Sequence, residues 1–249
     1  MRTSCIAMFS MISLASLPSP GASDNPPPKG SEVWQGPGVA AGEKVQALLK
    51  RLNAKFIIVE DEKKATRFAN YVKGLGFDSA DELLTATAGQ PVPVYSIHLD
   101  KLRAIKKGQD IKPWSVLTET GSAIFPILVQ KEIRSSATAF VVPDEHTDKP
   151  SVELGPLGSR NDTQLLREIK TRSCKCFVIR ANALDRQFLG EGDKANRSFK
   201  ITVMADGPGE KLKKGDYLDA EEVFAELSRE AKKPEYDIPD RPEGGRKKR

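Results

Sequence analysis

The chain is poor in the residues that most often carry catalysis or hold metal. Its 249 residues include three cysteines and two histidines, and aromatics make up 6% of it. Two histidines fall short of the three or four ligands that a tight zinc or catalytic site recruits. His98-x-Asp100 offers two ligand types on what reads as one strand face, and His146 lies among Asp144, Glu145 and Asp148 in a polar loop. We therefore expect no metal and no other cofactor. No Gly-x-Ser-x-Gly elbow occurs, and Thr120-Gly121-Ser122 reads as a turn before a strand. No glycine-rich phosphate loop follows a strand, and Gly74-Leu75-Gly76 reads as a helix stop. The formal net charge is +5, but the basic residues do not interleave with aromatics, which speaks against nucleic acid as a partner. These gaps favour a binding protein over an enzyme.

The scarce cysteines still form a pattern. Cys5 falls in an apolar leader, which leaves Cys174-Lys175-Cys176 in the body. Residues two apart on a strand point to the same face and bring their sulfurs together. Such a pair can close a small, strained and exchangeable disulfide, stay as a structural bond, or remain two thiols. The absence of Cys-x-x-Cys at a helix start weighs against thiol-disulfide chemistry there.

What is present begins with Met1–Ser23, which has the form of a secretory signal. Arg2 precedes the apolar run Cys5–Leu17, and Gly21-Ala22-Ser23 supplies small residues for cleavage. That run is shorter than the about 20 residues a spanning helix needs. The expectation is an exported protein, periplasmic or secreted. Residues 24–42 read as a linker, with Pro26-Pro27-Pro28 and Gly36-Pro37-Gly38 enforcing extended or turning chain. Trp34 within it is a candidate contact, docking on the domain or on a partner. At the other end, residues 234–249 read as a disordered tail ending Arg246-Lys247-Lys248-Arg249, a group that attracts anionic membrane surfaces.

Residues 43–233 read as one domain of mixed α/β class. The clearest element is a hairpin, Ala123–Gln130 and Ile133–Val142, turning at Lys131-Glu132. Those turn residues are not the Asn-Gly of a tight primed turn, so a bulge is expected. Pro126 inside the first strand cannot donate to a ladder, which puts it at an edge or a kink. On the second strand, Arg134-Ser135-Ser136 is a candidate anion or partner contact, with a solvated strand end as the alternative.

An offset of 82 residues lays Leu75-Gly76 on Leu157-Gly158, Leu83-Leu84 on Leu165-Leu166 and Tyr95 on Phe177. It also lays Phe56–Val59 on Thr138–Val141 as strands, and the helix start Ser79-x-x-Glu82 on Asn161-x-x-Gln164. This spacing predicts a duplicated strand-helix-strand-helix-strand unit with pseudo-two-fold symmetry, the halves spanning about 55–136 and 137–233, in a mixed sheet with flanking helices. Between them, helices are expected over 43–52, 61–73, 183–189 (capped by Asn182) and 219–233. The functional expectation is a non-catalytic exported protein. It would hold a protein or peptide in a groove between the halves, as a binding, chaperone-like or assembly module. The alternatives are thiol-disulfide exchange at Cys174 and Cys176, and a peripheral membrane role for the basic tail.

Overall fold

The structure is a computed structural model that describes residues 37–57, 62–142, 151–172, 175–206 and 211–236. Its centre is one nine-stranded mixed sheet. The strands are β1 (Thr87–Ala88), β2 (Val92–Ile97), β3 (Leu117–Val129), β4 (Glu132–Val142), β5 (Ser151–Leu157), β6 (Cys176–Ala181), β7 (Arg186–Glu191), β8 (Lys200–Val203) and β9 (Tyr217–Asp219). Around them lie α1 (Pro37–Ile57), α2 (Glu62–Gly74), α3 (Ala80–Thr85), α4 (Leu99–Arg103), α5 (Pro113–Val116), α6 (Arg160–Lys170) and α7 (Ala220–Ala231). The strand order is β5-β4-β3-β2-β6-β7-β8-β9, with β1 beside β3. Every pairing is antiparallel except β2 with β6, which run parallel at the centre with Val94 opposite Val178. The mixed α/β architecture is thus the one the sequence pattern implies.

The two sheet faces are covered unequally. On one face α6 alone among the described helices packs down, setting Leu165 and Leu166 against Val92, Val94, Ile124 and Val178. The opposite face carries two larger clusters. Val45 and Leu49 of α1 with Leu83 of α3 cover Phe125 and Ile127. Val223, Phe224 and Leu227 of α7 cover Phe177, Ile179, Phe188 and Ile201. The α1 spacing of Ala41, Val45 and Leu49 is one helical stripe, and all three are buried. That stripe starts before residue 43, so 37–42 belong to the helix and not to a linker. Residues 24–36 with Trp34, the leader and residues 237–249 lie outside the described residues, whereas Pro234–Tyr236, expected in the disordered tail, form a 3-10 turn held by Arg103.

The duplication does not survive as a structural repeat at the 82-residue offset. Phe56 and Ile57 end α1 and form no strand. The second helix is capped by Ser159, whose hydroxyl accepts from the Asp162 amide, and not by Asn161. Parallel neighbours whose following strands, β3 and β7, lie on opposite sides are related by a rotation that turns the sheet over. Copies should then point to opposite faces, yet Tyr95 and Phe177 share one aromatic cluster. What recurs is local pattern. Residues 183–189 are likewise no helix: a single 3-10 turn at Asn182–Leu184 gives way to β7.

The hairpin is present with its turn moved by one residue. Val129 pairs with Glu132, so Gln130 and Lys131 make the turn, with φ of 50° and 68°. A bulge follows Ile127, as the turn composition implied. Pro126 is not at an edge. It sits where β2 has ended and β1 has yet to begin; its carbonyl accepts from Gly89, so its missing donor faces that gap. Thr120-Gly121-Ser122 lies within β3, at the bulge opposite Val94 and Tyr95.

Two left-handed residues that are not glycine store strain of about 1–2 kcal/mol each. The Gln130→Asn/Lys131→Gly variant relieves part of it and should gain about 1 kcal/mol in urea unfolding with an unchanged denaturant slope.

Candidate functional site

Four elements converge at one end of the α7-covered face. After the 3-10 turn, Asp185 takes a left-handed backbone (φ 49°) that swings the chain into β7. The first residue of β7, Arg186, therefore points beneath the last turn of α7 rather than into solvent. Its side chain is 3% exposed and that of Glu230 is 5% exposed. Arg186 Nη2 donates to both Glu230 oxygens at 3.2 and 3.0 Å. The Tyr236 hydroxyl donates to Glu230 Oε1 at 3.2 Å. Arg103 of α4 ties the end of α7 in place, donating to the Ala231 and Tyr236 carbonyls.

One nitrogen of Arg186 thus serves the ion pair. Its Nε and Nη1 are buried and find no partner among the described residues. Arg186 also lines a cavity of about 50 Å3, together with Lys211, Leu212, Glu226, Arg229, Glu230 and Lys233. Four of these residues are cationic and two anionic, so the lining carries a positive excess. At about 10–15 Å3 per water, that space takes about three to five waters or one carboxylate-sized group. Each unmatched buried donor costs about 1–3 kcal/mol.

A second polar group lies at the other end of the same face. Tyr95 packs edge-on to Trp114 and Phe177, and Lys194 sits 5.6 Å over its ring while pairing with Glu119. Burial raises the Tyr95 pKa above 10.0; the Lys194 charge opposes this and that of Glu119 adds to it. Burial by itself would lower Lys194, but the hydrogen bond to Glu119 and the charges of Tyr95 and Glu119 outweigh it and raise the pKa above 10.5. At neutral pH the phenol keeps its proton and the ammonium its charge, so neither serves as a base. This trio clamps the 192–199 loop onto the aromatic cluster.

The residues singled out by sequence are dispersed. Arg134 bridges to Asp78 and Glu82 at 3.3 and 3.2 Å. Ser135 and Ser136 point to opposite faces of β4. The Ser135 hydroxyl donates to the Leu75 carbonyl, and that of Ser136 to the Ser159 carbonyl. The trio fastens the two Leu-Gly turns to β4 and presents no joint anion site, because Arg134 is already paired with Asp78 and Glu82 and Ser136 turns to the opposite face. Cys176 opens β6, half-buried opposite Glu191, and Cys174 lies outside the described residues. His98 precedes α4 and Asp100 lies within it, so they share no strand face. No group of three metal-ligating side chains occurs among the described residues, and His146 is not one of them. Arg186 escaped sequence reading because residues 183–189 look helical. Phe188 and Leu189 are apolar toward both faces, which hides the strand alternation.

Glu230→Ala leaves a buried, unpaired guanidinium and should cost about 3–5 kcal/mol, whereas Arg186→Met/Glu230→Leu should cost far less than either single change. A urea double-mutant cycle measures this. For Tyr95 and Lys194, both pKa values are raised on folding. Their stabilisation is complete below 10.0 and 10.5 and is lost as pH rises through the raised values. Unfolding free energy should therefore fall beyond that range, less steeply in Tyr95→Phe, with tyrosinate absorbance rising late. The site must be read on its own geometry, since no family model, curated protein or solved structure matches the chain.

Proposed function

We propose that the protein is a non-catalytic binding module, exported to the periplasm or beyond, whose ligand places one anionic group in the Arg186 cavity. The observation that carries this reading is the pair of unmatched guanidinium nitrogens on a side chain that is 3% exposed. A purely structural ion pair gains most when its remaining donors are also satisfied, and this one leaves two buried without a partner among the described residues. The pocket's position fits recognition better than chemistry. Its ionisable side chains already form the Arg186–Glu230, Lys211–Glu226 and Arg229–Glu226 contacts. Export rests on the leader alone; no helix among the described residues is long and apolar enough to cross a membrane.

This reading replaces a groove between two equivalent halves, since the fold supplies no such pair at the expected offset. Cys174 and Arg246–Arg249, on which thiol exchange and membrane attachment would rest, lie outside the described residues.

Binding to the folded state raises stability by RT ln(1 + [L]/Kd), about 1.4 kcal/mol at ten times Kd. Sodium acetate, compared with chloride at equal ionic strength, should raise the Tm of the wild type. The same salt should leave Arg186→Met/Glu230→Leu unmoved. An equal response of the two proteins excludes the reading.

A further inference from the structure

The cavity is too small for a whole metabolite, and that narrows the ligand. Drug-sized molecules and cofactors occupy pockets of about 300–1,000 Å3. Here about 50 Å3 is available. A ligand larger than a bare ion inserts one functional group and leaves the rest of itself outside, against the rim. The rim carries Lys211 and Arg229, whose side chains are 67% and 60% exposed. Both lean on the single carboxylate of Glu226, which is 23% exposed. Two cations sharing one anion are under-neutralised, and exposed pairs of this kind exchange partners readily. Lys233 extends the same rim.

The charge inside separates carboxylate from phosphate. Glu230 already lies on Arg186 Nη2, and Glu226 lines the same space. A dianion entering there meets two carboxylates at close range, whereas a monoanion meets half that repulsion. Planar carboxylates also match guanidinium donors. Outside, the remaining cations favour further negative charge at the spacing of neighbouring side chains.

Building on the anion reading above, we propose that the ligand is an acidic polypeptide segment. One Glu or Asp side chain enters the Arg186 cavity, and flanking carboxylates take Lys211 and Arg229 from Glu226. The partner is thus an acidic stretch of another protein, drawn toward a chain of net charge +5.

Fluorescence anisotropy on the full chain tests this with a labelled, N-acetylated peptide of alternating Glu and Gly. The controls are its Gln counterpart, acetate and inorganic phosphate. The peptide should bind at least about tenfold tighter than acetate and weaken with added salt, the Gln peptide should not bind, and acetate should compete. Lys211→Ala and Arg229→Ala, both on exposed side chains, should each weaken the peptide by about two- to fivefold, more than they weaken acetate. If acetate stabilises the protein through Arg186 but the peptide binds no tighter than acetate, the polypeptide assignment fails and the anion reading stands. If phosphate outcompetes the peptide, the carboxylate assignment fails. If acetate and peptide both leave the protein unmoved, both readings fall together.

Discussion

One pairing holds the molecule together: the parallel contact of β2 with β6. On one side of it the chain runs outward through β3, β4 and β5; on the other, through β7, β8 and β9. Each side is an antiparallel series of neighbours in sequence. Only the central pair, with Val94, Tyr95 and Ser96 opposite Val178, Ile179 and Arg180, makes them one sheet. Helices reinforce that seam from both faces. Leu165 and Leu166 of α6 cover Val94 and Val178, while Tyr95 and Phe177 interlock with Trp114 and Phe199 on the reverse. The Arg186 site depends on the seam too. β7 is aligned by β6, and α7 lies on the face that β6 to β8 provide.

The parts of this fold legible in the sequence are those where one local signal decides the outcome. Ser79 caps α3 as its position ahead of Glu82 implies, the amide of Glu82 donating to its hydroxyl. Gly76 ends the preceding segment with φ of 99°, a conformation that glycine adopts without strain. The apolar stripe of α7 shows as Val223, Phe224 and Leu227. Asp219 precedes that helix as expected, though its carboxylate holds Lys200 at 2.8 Å and makes no side-chain cap. Failures come where tertiary contacts overrule the local pattern. Phe56 and Ile57 look β-like, but they continue a helix whose stripe was set sixteen residues earlier at Ala41. Pro126 sits inside the sheet because β1 and β2 are two short strands where one long strand would have demanded its donor.

The site was less legible than the fold, for a definite reason. A buried arginine has no sequence signature of its own, and here it lies at a strand start that reads as helix. Its partner Glu230 sits among Arg229, Ala231 and Lys232, in what looks like an ordinary solvated helix end. Nothing short of the three-dimensional path brings residues 186 and 230 together, 44 positions apart. The Arg134-Ser135-Ser136 cluster shows the reverse error. Adjacent polar residues look like a site in one dimension, and the pleat of β4 sends them to different employers.

The central pairing also sets an order of events during folding. Val94 and Val178 are 84 positions apart, whereas Val129 and Glu132 meet across a two-residue turn. Closing a long loop before its contacts reward it is the slow step in β-rich chains. The outer ladders can therefore zip early, each leaving one raw strand margin, β2 or β6, awaiting the other. During that interval both margins offer open hydrogen-bonding groups and a row of valine, isoleucine and phenylalanine to any other nascent chain. The hazard for this molecule is thus greatest at its future middle, and crowding of newly made copies will favour mispairing there over correct closure.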